Sequence, residues 1–250
     1  MLHADRTGSG PTLVLVHGFT QTRACWGSPV DDLATDHSLV LVDAPDHGRS
    51  VGIDADLDRG ADLVVEAGGP ATYLGYSMGG RLCLHAAIRR PDAVRGLVLL
   101  GATAGIDDDE ARRERRAADD GLADRIEEIG TERFVDEWLG QPLFADLPDD
   151  AACRAERLEN SAEGLARSLR ATGTGTQVPL WDRLTELTMP VLAMAGERDQ
   201  KFRAEAARIV AATGTNAETV VVPDAGHAAH LERPEAFVAL LRGWLARHGL

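Results

Sequence analysis

Six short, almost unbroken apolar runs limit most strongly how these 250 residues can fold. They lie at 12–16, 39–42, 72–74, 97–100, 191–194 and 219–222, and most are rich in valine and leucine. A strand with one wet face alternates apolar and polar residues. A run with no alternation suits a strand buried on both faces, as in a parallel sheet covered by helices. Helical patterns fall between the runs, for instance at 79–89 and 204–212. The pattern predicts an α/β fold, with a mostly parallel central sheet flanked by helices.

The rhythm breaks between 103 and 187. That stretch is dense in charge, reads as helix at 110–128, 132–139, 149–159 and 163–172, and contains no convincing strand. We read it as a helical cap inserted into a core made of residues 1–102 and 188–250. Pro190 marks the return to the sheet. Between Ser50 and Ala71 there is room for one abbreviated helix.

Charge narrows the function classes. The formal net charge of −14 opposes a general role on nucleic acid or anionic membranes, since phosphate binding needs a positive field. It also means that an anionic small molecule would need local arginines to overcome the global field. No apolar run approaches the ~18 residues of a membrane span, and the N-terminus lacks the pattern of a signal peptide. Cys25, Cys83 and Cys153 are scattered, with neither metal-ligand spacing nor a paired framework. The expectation is a soluble cytoplasmic protein without a bound metal.

The chemistry centres on Gly75-Tyr76-Ser77-Met78-Gly79. An apolar run leads into this motif and a helical stretch leads out of it. That is the context in which Gly-x-Ser-x-Gly forms a sharp turn and exposes the serine. Asp199 follows the fifth run and His227 the sixth, each where a parallel sheet builds its sites. In the order Ser77, Asp199, His227, the histidine would take the serine proton and the aspartate would fix its tautomer. His17-Gly18-Phe19 follows the first run, so the backbone N–H groups of Phe19 and Met78 are candidates for an oxyanion hole. His17 and the segment from Asp43 to Ser50 read as architectural. His230 is a weaker candidate base than His227, which directly follows Ala225-Gly226.

With HGF, DAPDHGRS, GYSMGG, GERD and AGH in order, the chain resembles the α/β-hydrolase superfamily along almost its full length. GGR at 79–81, the W-x-x-QP-x-F pattern at 138–144, NSAEGLARSLRATGTG and GERDQKF resemble, more narrowly, the 2-succinyl-6-hydroxy-2,4-cyclohexadiene-1-carboxylate synthase family of menaquinone biosynthesis. The resemblance implies a carbon–oxygen lyase that eliminates pyruvate from a cyclohexene polycarboxylate, with the triad serine acting as base. It implies no metal or organic cofactor and a small-molecule polycarboxylate as partner. By position it makes Arg81, Arg115 and Arg157 the substrate-binding arginines, Arg115 being chosen among Arg112, Arg113 and Arg116. Tyr76 and Trp138 would lie against the substrate. The chain departs from the family at Gly101-Ala102-Thr103-Ala104-Gly105-Ile106, which is closer to general hydrolases. The same triad would permit a carboxylesterase or thioesterase acting through an acyl-enzyme on Ser77, and the fold also permits a receptor without activity.

Overall fold

The computed structural model describes residues 1–250. Its strands are β1 (Ala4–Gly8), β2 (Thr12–Val16), β3 (Ser38–Val42), β4 (Ala71–Tyr76), β5 (Val94–Leu100), β6 (Val191–Gly196) and β7 (Ala217–Val222). They form one sheet in the order β1-β3-β2-β4-β5-β6-β7. All neighbours pair in parallel except β1, which runs antiparallel to β3 with Ala4 opposite Val42. Each of the six apolar runs is a strand. β1 is the one that hydrophobicity did not mark: Ala-Asp-Arg-Thr-Gly sits on the sheet edge with four of its five residues exposed.

Alternate residues of the central strands feed two separate cores. Val14 and Val16 of β2 pack on one face, while Leu13 and Leu15 pack on the other. Leu97 and Leu99 of β5 likewise oppose Val98 and Leu100. Burying such a side chain contributes about 1.5–3 kcal/mol, so doubly covered strands have no polar position to spare.

The helices are α1 (Pro29–Leu33), α2 (Leu57–Gly68), α3 (Met78–Arg89), α4 (Asp109–Leu139), α5 (Arg154–Arg157), α6 (Ala162–Thr172), α7 (Gln200–Thr213), α8 (Ala229–Glu232) and α9 (Pro234–His248). α2, α3 and α7 bury their apolar sides against the first face, and α1, α8 and α9 against the second.

Between β5 and β6 lie only helices and turns. α4 breaks at Gly130, whose φ of 78° and ψ of 168° suit a residue without a side chain, and the break falls between the two expected helices. The expected helix over 149–159 is not continuous. Cys153 adopts a left-handed backbone (φ 54°), leaving a 3₁₀ turn at Asp149–Ala151 and the single turn of α5. α4 and α6 share a small apolar core of their own, built from Ala123, Ile126, Phe134, Leu165, Ala166 and Leu169. Polar contacts tie this layer to the sheet loops. Arg167 reaches the buried carboxylate of Asp46 at 2.6 Å, and Asn160 accepts a 2.8 Å bond from the Gly48 N–H.

Candidate active site

β2 and β4 are neighbours, yet the chain leaves β2 toward β3 on one side and β4 toward β5 on the other. Loops that diverge in this way open a crevice at the carboxyl ends of the strands, the place where open α/β sheets bind ligands. Ser77 stands there, directly after β4, with φ 50° and ψ −107°. A backbone of that kind costs on the order of 1–3 kcal/mol and persists only where its surroundings enforce it. Here the Ser77 N–H is tied to the Leu100 carbonyl at 2.8 Å. A side chain at Gly75 would strike the Gly79 carbonyl, and one at Gly79 would strike that of Val16. The turn therefore requires both glycines.

Ser77 Oγ lies 3.3 Å from His227 Nε2, and His227 Nδ1–H donates to Asp199 Oδ2 at 2.7 Å. Asp199 and His227 are both buried. The other carboxylate oxygen of Asp199 accepts the Phe202 N–H at 3.2 Å and so caps α7. The Phe202 ring then packs on His227, with centroids 4.6 Å apart. The start of one helix thus fixes the carboxylate and the imidazole together. His230 stands elsewhere: it is wholly buried between Tyr76 and Trp26, and neither ring nitrogen meets a protein partner.

The two expected oxyanion donors, the N–H groups of Phe19 and Met78, belong to residues that line one cavity with Ser77. Met78 opens α3, where helix donors are left free, and Phe19 sits in the loop after β2. That loop is held on several sides. His17 donates from Nδ1 to the Gly18 carbonyl at 2.8 Å and accepts the Ala44 N–H at 3.0 Å. Burial foremost, with His47 beside it, holds the His17 imidazole well below its ordinary range, as a neutral brace. Asn160 Nδ2 donates to the Thr20 carbonyl at 2.8 Å, and Arg157 donates to the Thr20 hydroxyl.

A cavity of ≈ 160 Å³ opens over Ser77, walled by Phe19, Met78, Arg81, Arg115 and Trp138 among others. Arg81 is 8% exposed, and its one side-chain hydrogen bond goes to the Thr172 carbonyl. Burial first, and the charge of Arg115 second, lower its pKa to about 10, so it stays cationic at neutral pH. Arg115 is half open and rests its Nε–H on Asp119 at 2.7 Å. Trp138 stands edge-on to Phe19, with centroids 5.3 Å apart.

Two sequence-derived substrate contacts are placed differently from expectation. Arg157 is 1% exposed and absent from the cavity wall; its guanidinium turns back to Thr20 and the Ala152 carbonyl. Tyr76 is also off the wall, because successive strand residues face opposite ways. Its ring packs against His227 at 5.3 Å and His230 at 4.5 Å. The cavity also includes residues to which the sequence assigned no role, among them Thr172, Lys201 and Phe202. Lys201 and Phe202 lie two and three residues after Asp199, and that proximity was the available signal.

Comparison with known proteins agrees with this geometry. Residues 13–240 match the family model of the alpha/beta hydrolase family. The 2-succinyl-6-hydroxy-2,4-cyclohexadiene-1-carboxylate synthase of Salmonella paratyphi C is 35% identical over 95% of this chain and 96% of its own. The enzyme of that name from Yersinia pseudotuberculosis is 33% identical over 96% and 89%. Among solved structures, MenH from S. aureus superimposes with a TM-score of 0.89 at 28% identity, covering all of both chains. The chain therefore belongs to the α/β-hydrolase family and, within it, to the 2-succinyl-6-hydroxy-2,4-cyclohexadiene-1-carboxylate synthases.

Proposed function

We propose that this enzyme eliminates pyruvate from a cyclohexene polycarboxylate to give 2-succinyl-6-hydroxy-2,4-cyclohexadiene-1-carboxylate, with Ser77 as the base. The observation that carries the reading is Arg81. A buried guanidinium without a carboxylate partner is costly, and an anionic substrate at the same cavity offsets that cost. An acyl pocket for neutral esters would have no use for it.

In this mechanism Ser77 Oγ removes a ring proton beside a carbonyl while its own proton passes to His227 Nε2. Asp199 stabilises the resulting imidazolium. The C–H electron pair moves toward the carbonyl oxygen, which receives the N–H groups of Phe19 and Met78. Collapse of that charge forms the new ring double bond and breaks the C–O bond to the pyruvate unit. The unit leaves as an enolate and takes up the proton to become pyruvate. Arg81 and Arg115 hold the substrate carboxylates, and Trp138 closes one wall. Residues 103–187 act as the cap that covers the site. The proton transfers run through Ser77 and His227, while the two backbone donors stabilise the developing charge.

Pyruvate release from the enzymatically generated precursor tests the proposal. Ser77→Ala should lower kcat on the order of 10³-fold or more. Arg81→Ala should raise KM by about ten- to a hundredfold, the range for losing a charge-assisted bond. A wild-type enzyme that hydrolyses p-nitrophenyl esters efficiently yet releases no pyruvate above background would overturn the proposal in favour of an esterase.

A further inference from the structure

Lys201 is the one lysine among 26 basic side chains. It occupies the second position of α7, two residues after the cap residue Asp199. A cation in the first turn opposes the helix dipole, so local helix energetics do not explain its presence. Nor does it form a hydrogen bond or ion pair with the protein; its Nζ stands over the Phe202 ring, 5.2 Å from the centroid. Its side chain is exposed and lines the cavity together with Ser77, Arg81 and Arg115.

Lys201 and Arg115 also line an adjoining outer groove of ≈ 330 Å³. The acids of that groove are engaged elsewhere: Asp107 pairs with Arg208, Glu205 accepts from Thr103, and Asp108 caps α4. None of them neutralises Lys201. The inner wall of the cavity is the buried Arg81, which also lacks a carboxylate partner. Cations from α3, α4 and α7 thus converge on one opening from deep wall to mouth.

We infer that Lys201 is a specificity residue of this site, binding the substrate carboxylate nearest the mouth while Arg81 takes the deepest one. The inference rests on the polycarboxylate reading above. A compact ammonium on a flexible stem suits a position where a carboxylate must arrive and leave; a planar guanidinium would hold it in one geometry.

Lys201→Ala should raise KM for the polycarboxylate about tenfold with kcat changed less than twofold. Lys201→Arg should restore KM to within about threefold. A second readout is independent of turnover. Reductive ¹³C-methylation of the wild type keeps the charge and labels this single lysine and the N-terminal amine. Titration with propane-1,2,3-tricarboxylate should shift the Lys201 methyl resonance saturably, and the neutral trimethyl ester should leave it in place. If the tricarboxylate inhibits pyruvate release while the resonance stays fixed, or if Lys201→Ala keeps its KM, the inference is overturned. If the wild type releases no pyruvate, the reaction assignment fails, and the resonance still decides for or against Lys201 as an anion contact.

Discussion

Asp199 serves two partners through its two oxygens, orienting His227 through one and capping α7 through the other. Substitution can separate these duties. Asparagine caps a helix about as well as aspartate but cannot stabilise an imidazolium, and it offers His227 the wrong tautomer. Asp199→Asn should therefore lower kcat on the order of 10³-fold while leaving the melting temperature almost unchanged. Asp199→Ala should be equally inactive and also lose about 1 kcal/mol of cap energy, lowering Tm by about 2–4 °C. Paired activity and melting measurements read both effects, and an active asparagine variant would remove Asp199 from the mechanism. At this scale the serine, the aspartate and the histidine were legible because each lies in the short loop after an apolar run, the serine within Gly-x-Ser-x-Gly. Arg157 and Lys201 were not. Which arginine turns into a cavity and which turns back to a loop depends on the packing of elements far apart in sequence. Arg157 meets Thr20 across 137 positions.

Among the elements, the most informative join is between the helical layer and the loop after β2. Asn160, just before α6, accepts from Gly48, donates to Thr20, and also donates to the Arg157 carbonyl. Removing its side chain leaves buried backbone groups at Gly48 and Thr20 without partners, at about 1–3 kcal/mol. It also frees Thr20, the residue beside Phe19, which lines the cavity with Ser77. Asn160→Ala should thus be less stable to urea and show kcat reduced about tenfold, a modest share of the ~10²–10³-fold for losing an oxyanion donor outright. Retention of full kcat would mean that the loop holds its shape without the helical layer. The sequence marked the elements whose residues obey one period, such as the central strands and α6. It missed β1, because a polar edge strand owes its conformation to pairing with β3. It also overextended the helix at 149–159, because Cys153 adopts a left-handed backbone that composition does not announce.

For the molecule as a whole, buried imidazoles, His17, His47 and His230 among them, set a pH dependence that opposes the trend of the net charge. At −14 the folded chain repels itself, and protonating surface carboxylates relieves that repulsion as pH falls. His17 and His230 act the other way. Burial foremost, with Arg157 and His227 adding positive charge nearby, lowers the His230 pKa from 6.5 to about 3, and His17 is shifted in the same direction. Above pH 6.5 each is neutral whether the chain is folded or not, and its contribution is fully present. Between pH 6.5 and about 3 the unfolded chain binds a proton that the folded chain refuses, so stability is lost as pH falls, by about 1.4 kcal/mol per unit for each histidine. The surface carboxylates obscure this in the wild type alone, but a difference between two proteins cancels them. His230→Phe keeps a ring between Tyr76 and Trp26 and removes one titrating group. Urea unfolding at pH 7.5 and pH 5.0 should show the wild type losing about 2 kcal/mol relative to the variant. Parallel stability curves would show that the folded protein admits a proton at His230, and the burial that excludes it would have to be abandoned.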